Sequence, residues 1–300
     1  MVIVNTECKQ DRYSPIEYLP IHIRRYFSDI DTSDIREIRL RRGRAVSLVT
    51  GKGIRYISKN GRVTAASENS VSATPRDMDD AVEILTLSSV YSAQQEMKNG
   101  FITTAGGHRV GLCGRMTPDG GFVTDVSGLN YRFAREIHGA ADKAVSAVYN
   151  GGNIKSTLIV SPPGCGKTTF LRDLIRQISD IGINISVSDE RGEIGACVNG
   201  ETLFDLGANT DIFDMCEKSK GLKMMIRSMS PGVAAADEIG TADDIEAIRF
   251  ASRSGVAVFA TMHGGNWRCD VPKEILSCFN CVIQLSDKPK PGTVEEIVHV

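Results

Sequence analysis

"TLIVSPPGCGKTTF", residues 157–170, joins an apolar run to a glycine-punctuated loop and then to the start of a helical pattern. The loop follows the phosphate-binding pattern G-x-x-x-x-G-K-[ST], except that Ser161 stands at its first glycine. Gly164 and Gly166 let the backbone curl around an anion and turn its N–H groups inward. Lys167 offers a point charge to the β- and γ-phosphates, and the Thr168 hydroxyl can ligate Mg2+. The apolar spacing of "TTFLRDLIRQI" continues as a helix, whose positive end would face the same anion. The lysine is expected to face solvent until phosphate arrives. Strand before, loop, helix after: this context makes the loop a phosphate site and the fold an α/β one.

Outward from the loop, residues 157–300 alternate strand and helix signals. Apolar runs at 157–161, 183–188, 233–237, 256–261, 281–285 and 294–300 read as strands. Helical stretches at 168–181 and 242–253 separate several of them, the second announced by Thr241 and Asp244 as a capping box. Such alternation implies a mostly parallel sheet with helices on both faces.

The first half reads differently. "DIREIRLRRGRAVSLVT" (34–50) looks like a short helix followed by strands, 77–100 has helical periodicity closed by Gly100, and 101–116 and 120–135 read as glycine-punctuated hairpins. This is a separate α+β domain over residues 1–148. "NGGN" within 149–156 reads as a linker, and 157–300 as the α/β domain. The basic run "RLRRGR" (39–44) reads as a solvated strand or turn before it reads as a contact for an acidic partner or lipid headgroups.

In open α/β sheets, ligands bind at the carboxyl ends of the strands. Here those ends carry Ser161; Asp189, Glu190 and Glu193; Asp237 and Glu238; and Thr261 and His263. Phosphoryl-transfer chemistry is mostly positioning and charge stabilisation, which gives each a role. Asp237 suits Mg2+ as a hard carboxylate ligand, beside Thr168. Glu238 or Glu190 would orient and deprotonate water, and His263 would donate a hydrogen bond to the γ-phosphate. Pro163, Gly164, Cys165, Gly166, Lys167, Thr168 and Thr169 are the residues expected to line the nucleotide, ATP with Mg2+.

Composition narrows the function classes. The 300 residues are 41% hydrophobic and 24% charged, with net charge −2. Residues 1–150 carry 20 Lys/Arg against 17 Asp/Glu, and the remainder 15 against 20. That asymmetry is too weak for a nucleic-acid groove, and a single Trp267 offers little base stacking; no nucleic acid is expected. No Asn-Lys-x-Asp guanine motif or Arg-rich kinase lid occurs. No signal peptide and no run of ~18–20 apolar residues is read, so any membrane role is expected to be peripheral. The eight cysteines are scattered, and "CFNC" (278–281) reads as a helix end entering a buried strand rather than half a zinc site.

"SPPGCGKTT", "VSDERGEIG", "MIRSMSPGVAAADEIG" and "VFATMHGG" together resemble the phosphate loop, acidic box, second carboxylate motif and histidine box of bacterial type II and type IV secretion and pilus ATPases. "DIREIRLRRGRAVSLV", "GFITTAGGHRVGLCGR" and "NYRFAREIHGAA" are similar to the stage III sporulation AA family of endospore-forming bacteria. The resemblance implies a RecA-like ATPase domain behind an N-terminal domain, assembled as a hexamer. It further implies a cytoplasmic motor of the mother cell, held at the membrane by the channel proteins it serves between mother cell and forespore. It assigns Arg132 to the arginine that the N-terminal domain lends to the phosphates, with Arg135 and Arg109 as weaker candidates. Arg227 matches the arginine of an R-x-x-x-P segment. Besides Ser161, Gly232 and "AAA" (234–236) depart from the family pattern; none removes a phosphate or metal ligand.

Overall fold

The computed structural model describes residues 13–87, 97–98, 100–117 and 123–300. The chain divides into two compact units, Met1–Ala134 and Arg135–Val300.

The first unit is a seven-stranded antiparallel sheet with the order β4-β3-β2-β1-β7-β6-β5. Its strands are β1 (Ile35–Arg41), β2 (Ser47–Thr50), β3 (Gly53–Ile57), β4 (Val63–Thr64), β5 (Phe101–Thr104), β6 (His108–Met116) and β7 (Val123–Arg132). Helix α1 (Pro75–Leu87) buries Met78, Ala81 and Leu85, one stripe at helical spacing, in a core with Ile38, Leu40, Leu48 and Tyr131. The helix expected at 77–100 is thus seen to Leu87; residues 88–96 and 99 lie outside the described residues, as do 118–122 of the second hairpin.

The short helix expected within 34–50 is instead strand β1. Ile35 and Ile38 are both buried although three apart, a spacing that mimics a helix. An irregularity in the β1–β2 register between Ile35 and Glu37 returns both to one face. The basic run that follows is strand and turn, with Arg39 paired to Glu37 at 2.7 Å and Arg41 donating to Ser47 Oγ at 3.1 Å.

The second unit is the α/β domain: β8 (Thr157–Ser161), β9 (Ile185–Asp189), β10 (Thr210–Asp214), β11 (Val233–Ala236), β12 (Ala257–His263), β13 (Cys281–Ser286) and β14 (Thr293–His299). Their order is β10-β9-β11-β12-β8-β13-β14, parallel throughout except for the final β13–β14 pair. Fully buried strands such as β8, β9 and β11 need apolar cover on both faces. Helices α2 (Asp142–Val148) and α3 (Lys167–Asp180) supply one layer, with Ala144, Phe170, Leu174 and Ile178 packed on Ile159, Val187 and Phe259. Helices α4 (Lys218–Ser228) and α5 (Ala242–Arg253) supply the other, with Leu222, Met225, Ala247 and Ile248 on Leu158, Ala234 and Val258. Small Ala234 and Ala236 sit here with Leu222, Met225 and Ile248, while Ala235 belongs to the opposite layer. The Thr241–Asp244 capping box forms at the start of α5. Cys281 is fully buried in β13, as the strand reading of "CFNC" expects.

The division at 134/135 differs from the boundary expected at 148/149. Residues 142–148 are a helix of the second unit, because Ala144 and Val148 are buried in one core with Phe170 and Ile178. The segment expected as linker is part of the same unit: Tyr149 and Ile154 pair with each other and pack on that core.

Candidate active site

Register places the strand-end residues. Ala236 pairs with Ala260, so Asp237 and Thr261 come next to each other; His263 pairs with Ser161, the last residue before the loop. Gly164 and Gly166 have φ of 76° and 82°. At Gly166 the turn is left-handed where α3 begins, a conformation that a side chain would strain. The loop therefore delivers the first N–H groups of a 14-residue helix to the carboxyl edge of the sheet.

Lys167 is not solvent-facing, as the sequence led us to expect, but 5% exposed. Its ammonium donates to the carbonyls of Ser161 at 3.1 Å and Pro162 at 3.3 Å and to His263 Nδ1 at 2.8 Å. Burial pushes its pKa down, opposed by the carboxylates of Asp237 and Glu238. An ammonium only donates, so His263 Nδ1 accepts and its Nε2 carries the proton to Glu238 Oε1 at 3.0 Å. The second Glu238 oxygen meets the Arg191 guanidinium. Burial would raise the Glu238 carboxyl, but Arg191 and then His263 hold it below the ordinary carboxylate value.

Thr168 Oγ1 donates to Asp237 Oδ2 at 2.5 Å, and Thr261 Oγ1 donates to Asp237 Oδ1. Thr261 Oγ1 also accepts the Glu238 N–H at 2.8 Å. Glu238 sits at φ 53°, a left-handed non-glycine residue of the kind that costs ~1–3 kcal/mol and gathers at functional sites. One network thus runs from Arg191 through Glu238, His263 and Lys167 to the loop, beside the Thr168–Asp237–Thr261 cluster. Hydroxyl and carboxylate oxygens are the hard donors that Mg2+ takes, so Thr168 and Asp237 fit that ion.

Glu190 stands apart from the network, its carboxylate on Lys218 Nζ at 2.6 Å, though both residues line the cleft formed by Asp189, Arg191, Asp237 and Glu238. Buried Asp189 accepts the N–H groups of Glu193 at 3.0 Å and of Ile194 and Gly195 at 2.8 Å each, fixing the loop that carries Glu190 and Arg191. Burial raises its pKa above the usual carboxylate value. Arg227 is exposed on α4 and lies over the Phe250 ring at 5.4 Å, outside the network. Arg132 belongs to the first unit, where its cross-strand partner on β1 is Glu37, 3.8 Å away. Arg109 stacks over Phe101 at 4.1 Å in that unit.

Sequence reading missed Arg191 and Lys218. Arg191 had a signal, as the lone basic residue inside the acidic stretch "DERGE". Lys218 had none: the β9–β10 pairing brings it back across 28 residues.

Comparison with known proteins agrees with this architecture. The family described as "Sporulation stage III, protein AA" matches residues 9–299. Stage III sporulation protein AA of Bacillus subtilis (strain 168) is 34% identical over 298 residues, which cover 94% of this chain and 93% of that protein. The chain belongs to the stage III sporulation protein AA family. Among solved structures it is similar to the Legionella pneumophila ATPase DotB, with TM-score 0.52 and 14% identity over 83% of this chain and 72% of that one. It is also similar to the pilus retraction motor PilT with bound ADP, with TM-score 0.54 and 14% identity over 83% and 74%. At that identity the likeness shows the fold alone: the chain has the α/β architecture seen in those two proteins. Among the described residues no helix is long and apolar enough to cross a membrane.

Proposed function

We propose that this protein is an ATPase, hydrolysing ATP to ADP and phosphate with Mg2+, and that it works as a secretion-type motor in endospore formation. The observation that carries this reading is the convergence of Lys167, Thr168, Asp237, Glu238 and His263 in one hydrogen-bonded cluster where the phosphate loop meets the carboxyl ends of the strands. A fixed cation, a helix terminus and a hard-oxygen pair beside two glutamates are the parts that phosphoryl transfer to water needs.

In this reading residues 163–169 hold the phosphates of ATP, and Thr168 and Asp237 hold Mg2+, which neutralises phosphate charge when bound. A phosphate oxygen competes with His263 for Lys167, since the ammonium has three protons and already meets Ser161, Pro162 and His263. Glu238 is the better-placed base, because it shares the network with Lys167 and Asp237; Glu190 is the second candidate. Their pairing with Arg191 and Lys218 must loosen before either accepts a proton. Arg132, Arg227 and, more weakly, Arg135 and Arg109 are proposed to meet the phosphates in an assembled hexamer. We place the motor on the cytoplasmic side of the mother-cell membrane, bound to the membrane-embedded channel proteins between mother cell and forespore that it drives or assembles. The alternative, a RecA-like ATPase acting on nucleic acid, is disfavoured by the net charge of −2 and the single Trp267.

Phosphate release measured with and without single-stranded DNA, beside a sizing column run with nucleotide, tests the proposal. DNA-independent release and a nucleotide-stabilised hexamer are expected; release that depends on DNA would favour the alternative.

A further inference from the structure

Arg172 lies one helical turn beyond Thr168 on α3 and is 4% exposed. Among the described residues no carboxylate hydrogen-bonds to it. Instead Nε donates to the Ile194 carbonyl at 2.8 Å, Nη2 to the Glu193 carbonyl at 2.6 Å and Nη1 to the Arg135 carbonyl at 2.8 Å. The guanidinium also stacks on buried Phe204, its central carbon 3.8 Å from the ring centroid. Burial pushes its pKa down to about 10, with Glu136 and Asp189 opposing. It stays charged at neutral pH.

A buried cation held by carbonyls is an expensive way to fill space, and an apolar side chain of similar volume would pack there at lower cost. What an apolar residue lacks is the planar fork that reaches several acceptors at fixed angles. The acceptors mark what the fork is for. Residues 193–195 are grasped from two sides: Asp189, at the end of β9, takes their N–H groups, and Arg172 takes the carbonyls of 193 and 194. The loop carrying Glu190 and Arg191 is therefore staked at once to the sheet and to the helix that presents the phosphate loop. Arg135, the third acceptor, opens the second unit, and α3 grips the incoming segment again where Asp173 accepts the Ala141 N–H at 2.8 Å.

We infer that Arg172 is a positioning residue: it registers the acidic loop of residues 190–195, and the incoming segment from 135, against the phosphate-loop helix. The inference rests on the proposed ATPase reading for its effect on turnover, and on geometry alone for its effect on the loop. Without Arg172 the loop keeps its sequence and its strand but loses its fixed distance from Lys167 and Thr168. Arg191 then no longer addresses Glu238 at one geometry, and chemistry suffers more than nucleotide binding.

Two readouts on the full chain test this. In Arg172→Lys, which keeps charge but not the fork, kcat should fall at least tenfold, about 1.4 kcal/mol of barrier, while KM stays within about threefold. Amide hydrogen exchange at residues 193–195 should quicken at least tenfold, with the β8 amides exchanging as in the wild type. Asp189→Asn, which weakens the same loop from the sheet side, provides a second handle should the Arg172 variant not fold. It should quicken the same amides, and the double variant should add little to the worse single one. Wild-type exchange at 193–195 in either folded variant would overturn the inference. So would unchanged kcat in Arg172→Lys, given a wild type that turns over. A wild type with no ATPase activity would overturn the proposed function instead, leaving the exchange result to decide the role of Arg172.

Discussion

Glu238 and Glu190 are both acidic strand-end residues, but the structure gives them unequal surroundings. Glu238 is bound to His263 and Arg191 within the loop network, whereas Glu190, in the same cleft, is bound to Lys218. Glu238→Gln keeps the shape and removes the charge, so it should bind ATP with Mg2+ yet turn over at least a hundredfold slower, the scale of a lost general base. Glu190→Gln should lose about tenfold or less. Single-turnover kinetics beside equilibrium nucleotide binding separates the two effects, and equal losses would leave the base unassigned to Glu238. Much of this residue-level picture was legible in sequence, because Lys167 and Thr168 open the helix that follows the phosphate loop and Asp237, Glu238 and His263 lie at predictable strand ends. Arg191 was legible only as the lone basic residue of its acidic stretch and Lys218 not at all, because their partners depend on how the 190–195 loop folds back and on which strand lies beside β9. Nor was the burial of Lys167, which follows from the Ser161 and Pro162 carbonyls turning onto its ammonium.

Among the elements, most strands that the sequence revealed in the second unit are apolar runs buried on both faces, with edge strand β14 the exception. Strand β10, with the sequence Thr-Asp-Ile-Phe-Asp, lies at the sheet edge with no fully buried residue, so it gave no such run. Strand β1 misled because its irregular register placed Ile35 and Ile38 on one face at helical spacing. The β5–β6 hairpin holds a feature with a measurable consequence. His108 is 4% exposed, and its Nδ1 accepts the Ala134 N–H at 3.0 Å. Burial pushes its pKa down to about 4 from the ordinary 6.5. A depressed histidine pKa means that the unfolded chain takes up the proton first. The stability contribution is therefore complete above the unfolded value of 6.5 and is lost as pH falls toward about 4. Within that window His108 should cost up to about 1.4 kcal/mol of stability per pH unit. Denaturant unfolding at pH 7 and pH 5 should show this slope in the wild type and less of it in His108→Gln; equal slopes would remove His108 as its source.

At the scale of the whole chain, two units with separate cores explain why the halves read so differently. The boundary was misplaced because "NGGN" carries the strongest local break, while helix 142–148 is short and only its apolar face shows where it belongs. Ala144 and Val148 are fully buried in the core of the second unit. A fragment starting at residue 135 should therefore fold cooperatively. One starting at 151 strips α2 from Phe170 and Ile178, and should unfold at least several degrees lower or fail to remain soluble. Thermal melts of the two fragments check this, and equal midpoints would mean that α2 adds nothing to the core. The central claim is that the loop at 161–168 works on ATP. Its most direct test is Mg2+-dependent phosphate release by the full chain, measured for the wild type and for Lys167→Ala together. Lys167 pairs with carbonyls and a histidine rather than filling the apolar core, so the variant should keep the wild-type circular dichroism spectrum and lose at least a hundredfold in turnover. A folded Lys167→Ala protein releasing phosphate at the wild-type rate would contradict the account.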